Sequence, residues 1–197
     1  AGRLLLRGGF AALLVLGLAD DAFGLKPWTK LTGQTAVAVY AFVVGMRVGD
    51  LLNVAIPWWL DLAATVLWFL TIINAFNLID GLDGLATGLG CIAAAGLGGA
   101  LMLRQLPGDV MIMLGLLGSC LAFLRYNFYP ASIFLGDTGS MFIGFTVAAV
   151  ALITGAKSAV LASIGVPILA VGVPVFDTFL AIWRRGAGRR RAGFWIT

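Results

Sequence analysis

The sequence predicts an all-α, polytopic membrane protein of about seven transmembrane helices, read as one integral-membrane domain over residues 1–197. Three observations predict it. Hydrophobic residues make up 61% of the chain against 11% charged, and the mean hydropathy is +1.03, a balance foreign to soluble domains of this size. Apolar runs of span length recur along the chain, separated by short polar or Gly/Pro connectors. The acidic residues are gathered rather than scattered: LADD (Leu18–Asp21), NAFNLIDGLDGLATG (Asn74–Gly88) and FLGDTGS (Phe134–Ser140) hold five of the nine aspartates.

In order, Leu4–Ala19 is an apolar run interrupted by Arg7 and short for a span. It ends at Asp20-Asp21, and AFGLKPWTK follows as a basic turn. Leu31–Val48 is the second span, stopped by Arg47, Gly49 and Asp50, and Leu51–Pro57 is a connector at the interface. Trp58-Trp59 anchor the third span at headgroup level, and it runs to about Phe76. Leu85–Leu103 is the fourth, rich in Gly and Ala, so neighbouring helices can pack close. After a turn at Arg104–Asp109, Val110–Leu124 is the fifth and Met141–Thr154 the sixth. Ala159–Trp183 is the seventh, kinked at Pro167 and Pro174, and a polybasic tail closes the chain.

Spans alternate in direction, so alternate loops share a side. Asp20-Asp21, Asn74–Gly88, Arg125–Ser140 and the tail after Trp183 then share one side. That side also carries Lys26, Lys30, Arg125, Arg184, Arg185 and Arg189–Arg191, against Arg3, Arg7, Arg47, Arg104 and Lys157 on the other. The excess marks the motif-bearing side as cytoplasmic. Asp20, Asp21, Asp80, Asp83 and Asp137 are therefore expected to converge at one membrane face.

The chain has no His, and all nine acidic residues are Asp. That excludes His-ligated zinc, Ser-His-Asp triads and His general bases within these residues. Carboxylates so close together stay ionised only with cations among them. Hard oxygen donors without Cys or His favour Mg²⁺, with Mn²⁺ as the alternative. Asn77 and Asn127 add neutral donors and acceptors, and glycines at 81, 84, 136 and 139 would let backbone approach a ligand. Cys91 and Cys120 lie in apolar runs and read as packing residues. The basic tail suits anionic lipid and not nucleic acid.

These motifs, with ADDAFGLKP…KL…Q, resemble the polyprenyl-phosphate N-acetylhexosamine-1-phosphate transferases from about Phe10 to Arg185. The resemblance implies a bacterial or archaeal plasma-membrane enzyme with its site on the cytoplasmic face. In it a polyprenyl phosphate attacks the sugar-linked phosphate of a UDP-N-acetylhexosamine, with Mg²⁺ required, and UMP leaves. It implies a metal-ligand role for Asp137 and a catalytic role for the paired Asp20 and Asp21, with Asp21 also near the metal. Asn74, Asn77, Asp80, Gly81 and Asp83 match the NxxNxxDGxD positions near metal and nucleotide. Phe134 falls where the muramoyl-pentapeptide members stack uracil, and Asn127 falls on their nearby asparagine. Lys26, Lys30, Arg125 and Arg184 are the candidates for cationic help to the phosphates, Lys30 among the substrate-binding residues, and a homodimer is the oligomeric option. VPVFDTFLAIWRR looks more like the N-acetylglucosamine-1-phosphate branch. The pattern departs from the family in two ways: the His-bearing loop expected after that stretch and the earlier spans are not in these residues. The expectation is therefore a piece of a longer protein or a degenerate homologue.

Plainer readings compete at single residues. Asp20-Asp21 could cap a helix end, and Asp137 could be the N-cap of the sixth span as well as a ligand. Asp177 suits an ion pair with Arg184, and Asp61 an interfacial position beside the tryptophans. Phe134, Tyr126 and Tyr129 suit an interfacial aromatic belt. At the level of function, a cation-coupled transporter would also need intramembrane Asp, but near mid-span and reachable from both sides. An intramembrane aspartyl protease pairing LGD with FDT would leave Asn74–Gly88 unexplained. A non-catalytic membrane scaffold is the third alternative.

Overall fold

The computed structural model describes residues 2–51 and 54–155. Among them are helices α1 (Gly2–Phe23), α2 (Pro27–Val43), α3 (Trp58–Ile79), α4 (Leu85–Leu103), α5 (Pro107–Asn127) and α6 (Gly136–Thr154). Between α2 and α3 lies a small antiparallel ladder of β1 (Asp50–Leu51) and β2 (Val54–Ala55), with Asp50 opposite Ala55 and Leu51 opposite Val54. The ladder replaces the plain interfacial connector expected there. The expected seventh span and its tail, with Asp177 and Arg184, lie outside the described residues.

The helices run further than the apolar runs. α1 carries on through Asp20 and Asp21 until Gly24, at φ 61°, breaks it. α2 starts at Pro27, because proline at a first helical position forfeits no hydrogen bond, and it ends before Gly45 at φ 93°. For the same reason α5 starts at Pro107, where a turn was expected. α6 starts five residues before the expected Met141, so Asp137 sits in its first turn while Leu135 holds the N-cap position without a side-chain cap bond. The N-cap reading of Asp137 is thereby corrected.

α3, α4, α5 and α6 are each long and apolar enough to cross a membrane. The outward faces of α3, α4 and α5 carry Leu67, Ile92, Met111 and Leu121 exposed, as an integral membrane protein facing lipid requires. α6 is the central element, packed against α1, α3 and α4. Its Met141, Phe145, Val147, Ala148, Ala149 and Ala151 are wholly buried, facing Phe69, Ile72 and Ile73 of α3. Phe145 stacks edge-on with Phe10 of α1 and tilted against Phe69, both at 5.2 Å between ring centres. Trp68 donates its indole N–H to the Ala148 carbonyl at 3.0 Å.

Small residues set the helix spacing. A Cβ at Gly17 would lie 2.5 Å from the Thr138 Cα, and one at Gly144 2.8 Å from the Ile73 Cα. Both obstacles are backbone, so a side chain there must push helices apart. Gly144→Val is expected to destabilise the bundle by about 1–3 kcal/mol or more, read as a lower midpoint of thermal unfolding in detergent, with Gly144→Ala falling between.

Asp61, expected at the interface, is only 4% exposed. It accepts the Gly49 backbone N–H at 2.8 Å, and Thr65, which receives the Val48 N–H at 3.0 Å, lies beside it. It therefore ties the α2–α3 connection to the first turn of α3. Cys91 and Cys120 are unlinked thiols facing each other between α4 and α5.

Candidate active site

Alternating helices deliver the end of α1, the start of α2, the end of α3 and the start of α6 to one end of the bundle. Lys30 marks their meeting point. Its ammonium donates to Asp20 Oδ2 at 2.8 Å, to Asp137 Oδ1, and to Asn77 Oδ1 at 3.3 Å. Asn77 Nδ2 donates to Asp137 Oδ1 and to Ser140 Oγ at 3.0 Å. A cavity of about 560 Å³ opens here, lined by Asp20, Lys30, Asn74, Asn77 and Asp137, with Trp28 and Leu31 on its wall. Asn74 and Asn77 line it together because residues three apart share a helix face.

The carboxylates differ in how much of each is left for a ligand. Asp20, 7% exposed, accepts the Leu25 N–H at 2.8 Å on Oδ1 and Lys30 on Oδ2. Asp21 turns both oxygens to the first turn of α6. It accepts the Asp137 N–H at 2.8 Å, the Thr138 N–H at 3.1 Å and the Thr138 hydroxyl. An acceptor at a helix N-terminus satisfies otherwise unpaired N–H groups and meets the positive end of the dipole. Gly136, at φ 69°, lets the chain turn there, and a Cβ on it would come within 3.1 Å of both Asp21 oxygens.

Asp137 and Asp80 keep oxygen to offer. Lys30 and Asn77 both donate to Asp137 Oδ1 and neither to Oδ2, and the Asp137 carboxyl also lies within hydrogen-bond reach of that of Asp20. Asp80 follows the last residue of α3 and accepts one backbone N–H, from Gly136. Burial, together with the negative charges of Asp137 and Asp21, pushes its carboxyl up to about 6. Four carboxylates around one ammonium leave an excess of negative charge. Among the described residues no three acidic, Cys or His side chains form a ready-made metal cage. Mg²⁺ does not require one: one or two carboxylates plus substrate phosphates is its usual arrangement. The free oxygens of Asp137 and Asp80 fit that arrangement.

The remaining expected residues lie elsewhere. Asp83 is exposed and accepts the Ala131 N–H at 3.0 Å. Asn127, expected to meet substrate, is 3% exposed. It receives the Thr87 hydroxyl at 2.9 Å and donates to the Ile133 carbonyl at 3.0 Å. Asp83 and Asn127 thus hold the α5–α6 loop in shape, a job visible only once a backbone partner on that loop is known. Phe134 sits on this loop 74% exposed, outside the lining of the cavity. Gly81 has open space around it, and the nearest atom to an added Cβ is the Leu78 carbonyl oxygen at 3.6 Å, so no close approach requires glycine there. Sequence reasoning quoted Gln34 and Ser140 inside the matched motifs without giving either a role, and it gave none to Trp28. The signal for Gln34 was there, an amide in the apolar stretch AVAV follows, on the same helix as Lys30 and one turn further in.

The family model for glycosyl transferase family 4 matches residues 4–155, the part of the chain that builds this cavity. A probable undecaprenyl-phosphate N-acetylglucosaminyl 1-phosphate transferase of Bacillus subtilis (strain 168) is 41% identical over 186 residues, covering 90% of this chain and 51% of the relative. A decaprenyl-phosphate N-acetylglucosaminephosphotransferase of Mycobacterium tuberculosis (strain ATCC 25618 / H37Rv) is 35% identical over 208 residues, covering 92% and 52%. A phospho-N-acetylmuramoyl-pentapeptide-transferase of Desulforudis audaxviator (strain MP104C) is 34% identical over 204 residues, covering 89% and 59%. The chain therefore spans about half to three-fifths of the length of these relatives. With the match running through every helix that meets at Lys30, the chain belongs to glycosyl transferase family 4.

Proposed function

We propose that this chain forms the catalytic membrane core of a transferase that moves N-acetylglucosamine 1-phosphate from UDP-N-acetylglucosamine to a polyprenyl phosphate. A lipid phosphate oxygen attacks the sugar-linked phosphorus, the bond from that phosphorus to the oxygen of the UMP phosphate breaks, and UMP leaves. The product is a polyprenyl-diphospho-sugar, the first lipid-linked intermediate of an envelope glycan. The observation that carries this reading is the Lys30 ammonium held by Asp20 beside Asp137 and Asn77, at the mouth of a polar cavity at one end of an apolar bundle.

The chemistry asks two anions to meet, so positioning and charge neutralisation dominate over proton abstraction. The nucleophile is already anionic near neutral pH, and both oxygens of Asp20 and of Asp21 are occupied by protein donors. Lys30 supplies a fixed positive charge. Asp137 and Asp80 would hold Mg²⁺, whose charge would offset that of the diphosphate. By the alternation of spans, eight basic residues, five of them in the C-terminal tail, fall on the side that bears the site and five on the other, a bias that supports a cytoplasmic active face.

The experiment is UMP release from UDP-N-acetylglucosamine by the full-length protein in proteoliposomes containing undecaprenyl phosphate. UMP should appear only with the lipid and a divalent cation present. Accumulation of the sugar nucleotide inside the vesicles without UMP would favour a transporter.

A further inference from the structure

At the cavity wall the buried Gln34 pairs with Asn74, a bond that the proposed reaction does not use. We propose that Gln34 is a positioning residue that fixes the Asn74 carbonyl oxygen as an acceptor in the cavity for a hydroxyl or amide N–H of the sugar-phosphate substrate; this rests on the function proposed above.

The orientation follows from what each partner can do. Asn74 bonds the Leu70 carbonyl at 2.8 Å, one turn back on α3. A carbonyl only accepts, so the Asn74 amide nitrogen must face it. The second N–H of that nitrogen goes to Gln34 Oε1 at 2.7 Å. Gln34 is fully buried, and its own nitrogen faces Met141 Sδ at 3.2 Å, a weak acceptor. A flipped Gln34 would set two amide nitrogens against each other, so one pattern satisfies the pair. Both Asn74 N–H groups are thereby occupied, and its oxygen is the remaining polar atom. Among the described residues no side-chain polar atom is both buried and unpartnered, and no protein donor reaches this oxygen. It is therefore open to the cavity that Asn74 lines.

Asn77, one turn on, is the contrast. Its nitrogen serves Asp137 and Ser140 and its oxygen accepts Lys30, so it is committed to the charge cluster. Of the two asparagines, Asn74 alone presents a fixed acceptor. N-acetylglucosamine carries both kinds of donor that such an oxygen takes.

The test is a double-mutant cycle in the full-length protein with UDP-N-acetylglucosamine, comparing wild type, Gln34→Met, Asn74→Ala and the double variant. Gln34→Met and Asn74→Ala should each raise KM about tenfold with kcat much less affected, the weight of one neutral hydrogen bond. The double variant should be no worse than Asn74→Ala. Gln34→Glu, which keeps an acceptor oxygen for Asn74, should stay within about threefold of wild type, and thermal unfolding checks that each variant folds. Multiplied effects in the double variant, or a wild-type KM in a folded Gln34→Met, overturn the assignment and leave the proposed function standing. A parent protein that does not turn over the sugar nucleotide overturns the proposed function, and the Gln34 assignment falls with it.

Discussion

Lys30→Met should lower kcat/KM for sugar-phosphate transfer by roughly 10²–10³-fold, the range seen when one preorganised electrostatic donor is removed. The ammonium is the convergence point of three helices besides its own, and among the cavity-lining residues it is the positive one. Its loss brings anionic substrates against carboxylates with nothing fixed between them. It also leaves Asp20, 7% exposed, without its cation, with the Leu25 N–H and the Asp137 carboxyl beside it. Breaking a buried pair costs about 3–5 kcal/mol, so the variant should also unfold at lower temperature. The two effects separate in Lys30→Met/Asp20→Asn: removing the stranded charge should return most of the thermal midpoint and none of the turnover. Recovery of turnover in the double variant would make Lys30 a structural counter-ion only. Lys30→Arg should rescue poorly, since a planar fork cannot replace a compact point charge held among Asp20, Asp137 and Asn77.

Asp137→Asn should lose a comparable factor, roughly 10²–10³-fold, while the fold survives. The geometry makes this substitution selective. Lys30 and Asn77 both bond Oδ1, which an asparagine keeps in place, whereas Oδ2 becomes an NH₂ group. The inner bonds stay and the oxygen available to a cation goes. Turnover measured across a Mg²⁺ titration should fall at every concentration, with the thermal midpoint close to wild type. Turnover near wild type across that titration would remove Asp137 from any cation-binding role.

Much of this site was legible in the sequence because helix geometry does the bringing together. Spans of fixed length alternate, so the ends of α1, α3 and α6 had to share a side, and Asn74 and Asn77 had to share a face. What stayed hidden were the roles that depend on a distant backbone group. Asp21 and Asp137 look alike in a sequence, yet the start of α6 takes both oxygens of one and leaves an oxygen of the other. Asp61 faces a loop N–H that no pattern of apolar residues announces. Asp83 and Asn127 read as ligands because they carry the right atoms, and no sequence pattern shows that each also bonds a backbone group of the α5–α6 loop. The helix starts at Pro27 and Pro107 were misplaced because proline marks both a turn and a first helical position.

The central position of α6 has a consequence for synthesis. Lys30 and Asp137 are 107 residues apart in the chain, so at about 5–20 residues per second the ribosome needs roughly 5–20 seconds to supply the partner. During that interval Lys30 and Gln34 wait without Asp137 and Met141, and Asn77, 60 residues before Asp137, waits for a little over half of it. The first three helices must therefore remain loosely associated, or be shielded by the insertion machinery, until the sixth arrives and draws them shut.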